Sequence, residues 1–204
     1  MTEKTFKQMR KILILIAILC VQININAQEP TSAKNLLRQM PESVIPVLTH
    51  NNVLDMLDFT GVGQKAEVTN RLNGKSEMTE LSESSAAIKL SSTTRVNIHL
   101  MTRADNETMI YVINTTETAD SLRDSEVKVY DSKWHPAAPG FKIPNYHPQC
   151  FNEVVIDPHT KKMTLTETQR SLCFEGESQD KTNDTVNTRH AEWDARKGVF
   201  TFKD

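Results

Sequence analysis

The sequence is poor in glycine and proline, with six and eight residues in 204, and this excludes collagen-like and proline-rich chains. Beyond residue 28 it has no apolar run near the roughly 20 residues that a membrane-spanning helix needs, which excludes a later transmembrane span. It also lacks an excess of positive charge, because residues 28–204 have a net charge of −5. Nucleic-acid binders neutralise phosphates with cations, so we expect no nucleic-acid partner.

Familiar catalytic motifs are missing as well. The sequence contains no G-x-x-x-x-G-K-[ST], no H-E-x-x-H and no G-x-S-x-G. Gly61-Val62-Gly63 ends a predicted helix instead of opening one, so it does not predict a Rossmann-type phosphate site. The absence of C-x-x-C gives no support to thioredoxin-like redox catalysis. We therefore expect no cofactor and assign no catalytic residue.

The first 27 residues predict an export signal. Four basic residues and one acidic residue give this segment a net charge of +3, and Ile12–Val21 is unbroken apolar sequence. Ten residues reach only about 15 Å as a helix, half of a hydrocarbon core. A basic region, a short apolar region and a terminal small residue are typical of a secretory signal peptide. We expect cleavage after Ala27, which would make Gln28 the first residue of the mature chain.

Two alternatives remain for this segment: an uncut signal anchor, or a lipid attached to Cys20. Lipoprotein sites need a small residue directly before the cysteine, and Leu19 stands there. The expected protein is therefore exported, to the periplasm, the cell surface or the medium. We expect residues 28–204 to form a single domain, with a subdivision near residues 132–150 as the alternative.

Export affects how the remaining cysteines, Cys150 and Cys173, are interpreted. In an oxidising compartment two such cysteines favour a disulfide. By restraining the unfolded chain, it would stabilise the folded protein by about 3 kcal/mol. The alternative is two unpaired, half-buried thiols.

Residues 31–60 predict two or three short helices that place one apolar face against a sheet. Thr31 or Ser32 is a suitable N-cap for the first, and Asn51 or Asn52 for a later one.

From residue 65 the apolar period changes to two, which indicates strands. Asn73-Gly74 predicts a two-residue type I′ hairpin, and the apolar run Met109–Ile113 predicts a central strand covered on both faces. The proline-containing stretch 132–150 predicts a structured loop or a connection between two sub-sheets, and the polar stretch 175–189 predicts a flexible loop. The fold class is α+β, with N-terminal short helices packed on an antiparallel, hairpin-rich β-sheet.

One group of potential metal ligands falls within 25 positions: His135, His147, Cys150 and His159. Imidazole and thiolate ligands suit zinc or copper. Scattered surface histidines are the favoured interpretation, and an oxidised Cys150 could not bind a metal, so we expect no metal site.

Other candidate residues also favour a structural role. Asp55 and Asp58 share one helix face and could bind a cation or exchange protons, but a solvated face is the favoured interpretation. Ser84-Ser85 has no base partner identifiable from spacing. Trp134 and Trp193 could stack on a sugar, although a tryptophan that ends a strand more often fills a core.

Two short motifs suggest modification. Asp120-Ser121-Leu122 and Asp184-Thr185-Val186 fall in predicted polar loops. They resemble the Asp-Ser/Thr-apolar sites at which some Gram-negative gut bacteria attach glycans to exported proteins. Ser121 and Thr185 are therefore candidate glycosylation sites.

The run Met40–Leu48 followed by Asn51–Phe59 resembles a family of domains of unknown function in signal-peptide-bearing proteins of Gram-negative gut and oral anaerobes. Further matches are Ala66-Glu67-Val68, Asn70, Leu72, Gly74 and Val129–Ser132 with Trp134. The resemblance covers about residues 30–135 and the terminal hairpin. It implies export and an α+β fold, and it implies no activity.

Three functional hypotheses follow. The favoured one is a non-catalytic envelope protein that binds a protein, peptide or glycan partner through its sheet or its proline-containing loop. The second is an exported hydrolase with a site assembled from residues distant in sequence. The third is a metal-carrying protein that uses His135, His147 and His159.

Overall fold

The structure is a computed structural model, and it describes residues 31–138, 140–170 and 184–202. The expected cleavage site at Ala27 and Gln28, and Cys173, lie outside the described residues. The described residues contain two helices and ten strands. These are α1 (Ala33–Arg38), α2 (His50–Gly61), β1 (Ala66–Thr69), β2 (Lys75–Leu81), β3 (Ser85–Lys89), β4 (Thr94–Thr102), β5 (Thr108–Glu117), β6 (Arg123–Tyr130), β7 (Cys150–Asp157), β8 (Lys162–Gln169), β9 (Thr185–Asp194) and β10 (Val199–Phe202).

The strands form two antiparallel sheets. Sheet 1 has six strands in the order β1-β2-β3-β4-β5-β6, and sheet 2 has four in the order β10-β9-β8-β7. The α+β class is confirmed, but the expectation of one sheet is wrong. Residues 131–149 connect the last strand of sheet 1 to the first strand of sheet 2, the second of the two interpretations that the prolines suggested.

Both helices begin at side-chain caps. Ser32 accepts the Asn35 N–H at 3.2 Å, as expected for the N-cap of α1. The expectation of Asn51 or Asn52 as cap of α2 is wrong, because Thr49 accepts the Asn52 N–H at 3.0 Å. The Asn52 side chain accepts the Thr49 N–H in return, which completes a capping box and satisfies two otherwise unpaired groups.

The turn between β1 and β2 differs from the predicted type I′ hairpin. The Asn70 N–H donates to the Gly74 carbonyl at 2.9 Å, so three residues lie between the paired positions. Asn73 has a φ of 61°, as in a three-residue loop that ends in the left-handed region. The Asn70 side chain accepts the N–H groups of Leu72 and Gly74 and thereby stabilises the longer loop.

Sheet 1 contributes residues to two hydrophobic clusters. The first combines the buried residues of α1 and α2 with those of β1–β5, among them Ile98 and Ile110. The second combines Tyr111 and Ile113 with the buried residues of sheet 2. Alternate residues of β5 therefore enter different clusters, which confirms the predicted strand covered on both faces.

The predicted flexible loop 175–189 is wrong at its end, because β9 begins at Thr185. Thr185–Arg189 pairs with the last five residues of β8. Most of these side chains are exposed, so their polarity reflects a solvated sheet face and not the absence of a strand. None of the helices in the described residues is both long and apolar enough to cross a membrane.

Candidate functional site

The candidate site is a cleft between sheet 1 and strand β7. Its volume is about 230 Å³. The floor is formed by side chains of β3, β4 and β5, namely Lys89, Arg95, Asn97 and Thr115. One wall is the β3–β4 turn at residues 91–94, and the other is Glu153–Val155 of β7. We use the term cleft for this set of residues.

Two cations lie side by side on the cleft floor. Lys89 and Arg95 are direct cross-strand partners. The next pair towards the turn, Leu90 and Thr94, is hydrogen-bonded, because the Leu90 N–H donates to the Thr94 carbonyl at 2.9 Å. Because such pairs alternate in antiparallel sheets, Lys89 and Arg95 form the closer pair without backbone hydrogen bonds, with Cα atoms about 4.5 Å apart. Like charges in this position destabilise a sheet.

The acidic residues beside the cleft are engaged elsewhere. Arg123 contacts Glu117 at 2.9 Å and Glu153 at 3.0 Å. On β2, Glu77 lies opposite Lys89 but forms its ion pair with Lys65 at 3.8 Å. Among the residues that the structure describes, Lys89 and Arg95 therefore have no ion-pair partner within 4 Å.

Hydrogen bonds through two hydroxyl groups connect the floor of the cleft to its β7 wall. Ser125 Oγ accepts the Val154 N–H at 3.0 Å and lies 2.9 Å from Thr115 Oγ1. The neighbouring Asn152 N–H donates to Asp124 at 3.0 Å. These bonds tie β7, the edge strand of sheet 2, to β6 and fix the position of the Thr115 hydroxyl.

An apolar hollow lies on the other side of the same β3–β4 turn. It is lined by Val47, Leu72 and Leu90, together with polar residues from the turns. Leu72 is 79% exposed. The turn residues 91–94 thus separate a charged polar cleft from an apolar hollow.

A serine and a histidine that are distant in sequence meet in sheet 1. Ser85 of β3 is the cross-strand partner of His99 on β4. The Ser85 hydroxyl is buried and bonds to Ser82 Oγ at 2.8 Å, not to the imidazole. His99 is 8% exposed and its Nδ1 lacks a partner in the described ranges. Burial lowers its pKa to about 4, against a smaller opposing effect of Asp157.

The potential metal ligands are dispersed. His135 is exposed and its Nδ1 lies 3.1 Å from Asp131. His147 is in the loop before β7, where its carbonyl accepts the Cys150 N–H at 3.0 Å. His159 follows the opposite end of β7, and an extended strand of this length separates its two ends by about 23 Å. No group of three or more potential metal ligands occurs within residues 31–138, 140–170 and 184–202.

Both tryptophans fill structural positions. Trp134 is 5% exposed and donates its Nε1–H to the Leu36 carbonyl at 3.0 Å. Trp193 is half-buried, donates to the Thr102 carbonyl at 3.0 Å and packs edge-on against Tyr111. The buried Trp134 indole is therefore not accessible to a sugar, whereas Trp193 keeps part of its surface exposed beside the β9–β10 turn.

The carboxylate pair on α2 faces solvent. Asp55 and Asp58 are both exposed, and Asp58 forms an ion pair with Arg38 at 3.1 Å. This placement agrees with a solvated helix face.

The candidate modification residues are accessible. Ser121 lies in the exposed β5–β6 turn with a φ of 62°, and Thr185 is exposed at the start of β9. Cys150 is half-buried at the first position of β7; the proposed disulfide with Cys173 stays a prediction.

Sequence reasoning missed the cleft residues. Alternation along β4 places Arg95 and Asn97 on the face opposite Val96 and Ile98, and this signal was readable. The pairing of Lys89 with Arg95 follows from the short turn between their strands. No local signal predicted that β7 forms a wall of the cleft, because Glu153 lies 58 positions after Arg95 in the chain.

Comparison with known proteins identifies the family. None of the curated proteins matches the chain. A solved structure of a domain of an uncharacterized protein from Porphyromonas gingivalis W83 is similar, with a TM-score of 0.61 and 14% sequence identity over 83% of this chain and 96% of that chain. At this identity the similarity shows the fold alone. The family model for proteins of unknown function DUF3256 matches residues 22–186. The chain therefore belongs to the DUF3256 family.

Proposed function

We propose that the protein is an exported, non-catalytic binding module of the cell envelope and that its ligand is a small polar saccharide. The observation that carries this proposal is the cleft, because its floor presents an amide, a hydroxyl and two cations to one small volume. Small-molecule sites combine a concave shape with a few polar groups that orient the ligand.

The size of the cleft restricts the ligand. At about 230 Å³ it is smaller than the roughly 300–1,000 Å³ typical of sites that enclose a drug-sized molecule. It suits one sugar residue or one terminal group of a longer chain. A peptide bound at the cleft would need a longer groove, and the β7 edge beside the cleft is partly occupied by Asp124 and Ser125.

Binding is favoured over hydrolysis by the state of the Ser85–His99 pair. A serine nucleophile needs an adjacent base within hydrogen-bond reach and access to substrate. Ser85 is 4% exposed and its hydroxyl is bonded to another serine. The residues that line the cleft offer hydrogen-bonding groups but no serine–histidine pair.

The binding proposal is tested with a variant that fills the cleft. Asn97→Tyr adds volume on the cleft floor without changing charge, and Thr201→Tyr makes the same kind of change at an exposed position of β10, on the opposite edge of sheet 2 from β7. Surface plasmon resonance of soluble envelope saccharides on the immobilised protein should show binding to the wild type and to Thr201→Tyr and its loss in Asn97→Tyr. Equal binding by both variants would contradict the proposal.

The proposal of export rests on the sequence of residues 1–27. Fractionation followed by intact-mass measurement should find a chain that begins at Gln28 outside the cytosol. The same spectrum tests glycans at Ser121 and Thr185, because each adds mass that Ser121→Ala or Thr185→Ala removes. A full-length cytosolic chain would contradict export, and a mass equal to the bare chain would contradict modification.

A further inference from the structure

The ligand chemistry can be narrowed by the electrostatics of the cleft, an inference that rests on the proposed function. We infer that the ligand presents an oxyanion, a carboxylate or a phosphate, to Arg95 and Lys89. A saccharide with this property is an acidic sugar or a sugar phosphate.

Arg95 carries an uncompensated charge. Its strand neighbours are Lys89 on one side and Thr115 on the other, so no acidic residue lies directly opposite it. The nearby carboxylates of Glu117 and Glu153 are both held by Arg123. An anion between the two side chains would add two attractive interactions that offset the repulsion between the cations.

The two cations differ in their surroundings. Lys89 has Glu77 as its other cross-strand neighbour, and this carboxylate partly offsets its charge. Arg95 has no such neighbour, and its planar guanidinium can donate two parallel hydrogen bonds to a carboxylate or a phosphate. Arg95 is therefore the principal contact, and Lys89 adds a weaker electrostatic contribution.

Neutral hydrogen-bonding groups surround the two cations. Asn97 lies two positions after Arg95 on the same face of β4. The Thr115 hydroxyl is held by Ser125 at 2.9 Å, and the β3–β4 turn adds the side chains of Ser92 and Thr93. These groups can bond the hydroxyls of a sugar whose charged group contacts Arg95.

The shape of the site strengthens the interaction. Lys89 and Arg95 are both exposed, but the turn 91–94 and strand β7 flank them, and such walls focus the field of the charges between them. Salt screens interactions between exposed charges beyond about 8 Å at physiological ionic strength. An anion inside the cleft is closer to both cations than this screening length.

The test is isothermal titration calorimetry of the purified protein at low ionic strength with glucuronate, glucose and inorganic phosphate as probes. We expect saturable one-site binding of glucuronate or phosphate and at least tenfold weaker binding of glucose. Tighter binding of glucuronate identifies the carboxylate, and tighter binding of phosphate identifies the phosphate. Arg95→Gln should weaken binding about tenfold or more, as expected for the loss of a charge-assisted hydrogen bond.

The matched control is Arg196→Gln, which removes an exposed arginine of the β9–β10 turn outside the cleft and should leave affinity unchanged. Lys89→Gln should have a smaller effect than Arg95→Gln. Glucose binding that equals glucuronate binding, and that Asn97→Tyr removes but Arg95→Gln does not, would overturn the oxyanion and leave the proposed function intact. Loss of affinity in Arg196→Gln equal to that in Arg95→Gln would also overturn the inference. Absence of binding by all three probes overturns the oxyanion, and the saccharide experiment then decides the proposed function separately.

Discussion

Trp134 donates its indole N–H to the carbonyl of Leu36 at 3.0 Å, although 98 positions separate the two residues in sequence. This bond joins the segment after β6 to helix α1. Trp134 adopts a φ of 64°, a conformation that few non-glycine residues take without support from their surroundings. The contact therefore holds both the helix and the start of the connection to sheet 2.

Replacing this indole should destabilise the protein. Trp134→Phe removes the hydrogen bond and leaves a smaller ring in the first cluster, and we expect a loss of about 1–3 kcal/mol in the free energy of unfolding. Urea denaturation measures it. Trp193→Phe, which alters a half-buried indole in the second cluster, should cost less. A Trp134→Phe protein as stable as the wild type would show that the bond to Leu36 does not hold α1.

A glycine contact tests the packing of two hairpin turns. Gly198 has a φ of 69°, and an added Cβ would lie 2.9 Å from Arg103 Cδ. Arg103 is held by ion pairs to Asp105 and Glu107 at 3.1 and 2.9 Å. Its side chain therefore cannot move away without weakening these ion pairs. Gly198→Ala should therefore cost more than the roughly 1 kcal/mol of backbone strain alone.

Gly63→Ala is the control for that measurement. Gly63 has a φ of 70° but no atom within 4 Å of an added Cβ, so its substitution reports backbone strain alone. Thermal unfolding of the two variants should show the larger loss for Gly198→Ala. Equal losses would mean that the contact with Arg103 is not tight.

Stability should fall between neutral and mildly acidic pH because of His99. Burial lowers its pKa to about 4 from the ordinary 6.5, so between these values the unfolded chain binds a proton that the folded chain does not. The free energy of unfolding is therefore highest above pH 6.5 and decreases as the pH falls towards 4, by up to about 1.4 kcal/mol per pH unit.

The histidine contribution is isolated by His99→Leu, which places an apolar side chain that does not titrate in the same buried position. Between pH 6.5 and 5, the free energy of unfolding of this variant should depend less steeply on pH than that of the wild type. His190→Leu changes an exposed histidine and should retain the wild-type slope. An unchanged slope in His99→Leu would rule out His99 as its source.

The expected disulfide makes a separate prediction. If Cys150 and Cys173 are bonded, the intact mass is lower than that of the reduced chain by two hydrogen atoms. Reduction should then lower the free energy of unfolding by about 3 kcal/mol. The Cys150→Ser protein should be insensitive to reductant. Free thiols at both positions in exported protein would leave the alternative of two unpaired cysteines.

The sequence predicted those features that depend on local pattern. The apolar run Met109–Ile113 indicated a strand covered on both faces, and β5 is that strand. Gly61-Val62-Gly63 indicated the end of a helix, and α2 ends at Gly61. Both signals come from side-chain period or backbone freedom within a few residues.

Features that depend on distant pairing were not predictable in the same way. Alternation along β4 shows which residues face away from the helices, but it does not show that β7 covers them. The start of β9 at Thr185 was missed because its residues pair through the backbone while their side chains face solvent. The cleft combines both difficulties, since its floor is local to β3–β5 and its wall comes from another sheet.

The most direct test of the account is an NMR titration of the ¹⁵N-labelled protein with glucuronate. A ligand in the cleft should cause saturable shifts of the Asn97 side-chain amide and of the backbone amides of Arg95 and Thr115, with little change on the outer face of β8. Shifts that cluster on another surface, or none at any ligand concentration for glucuronate, phosphate and neutral saccharides alike, would contradict a ligand site between sheet 1 and β7.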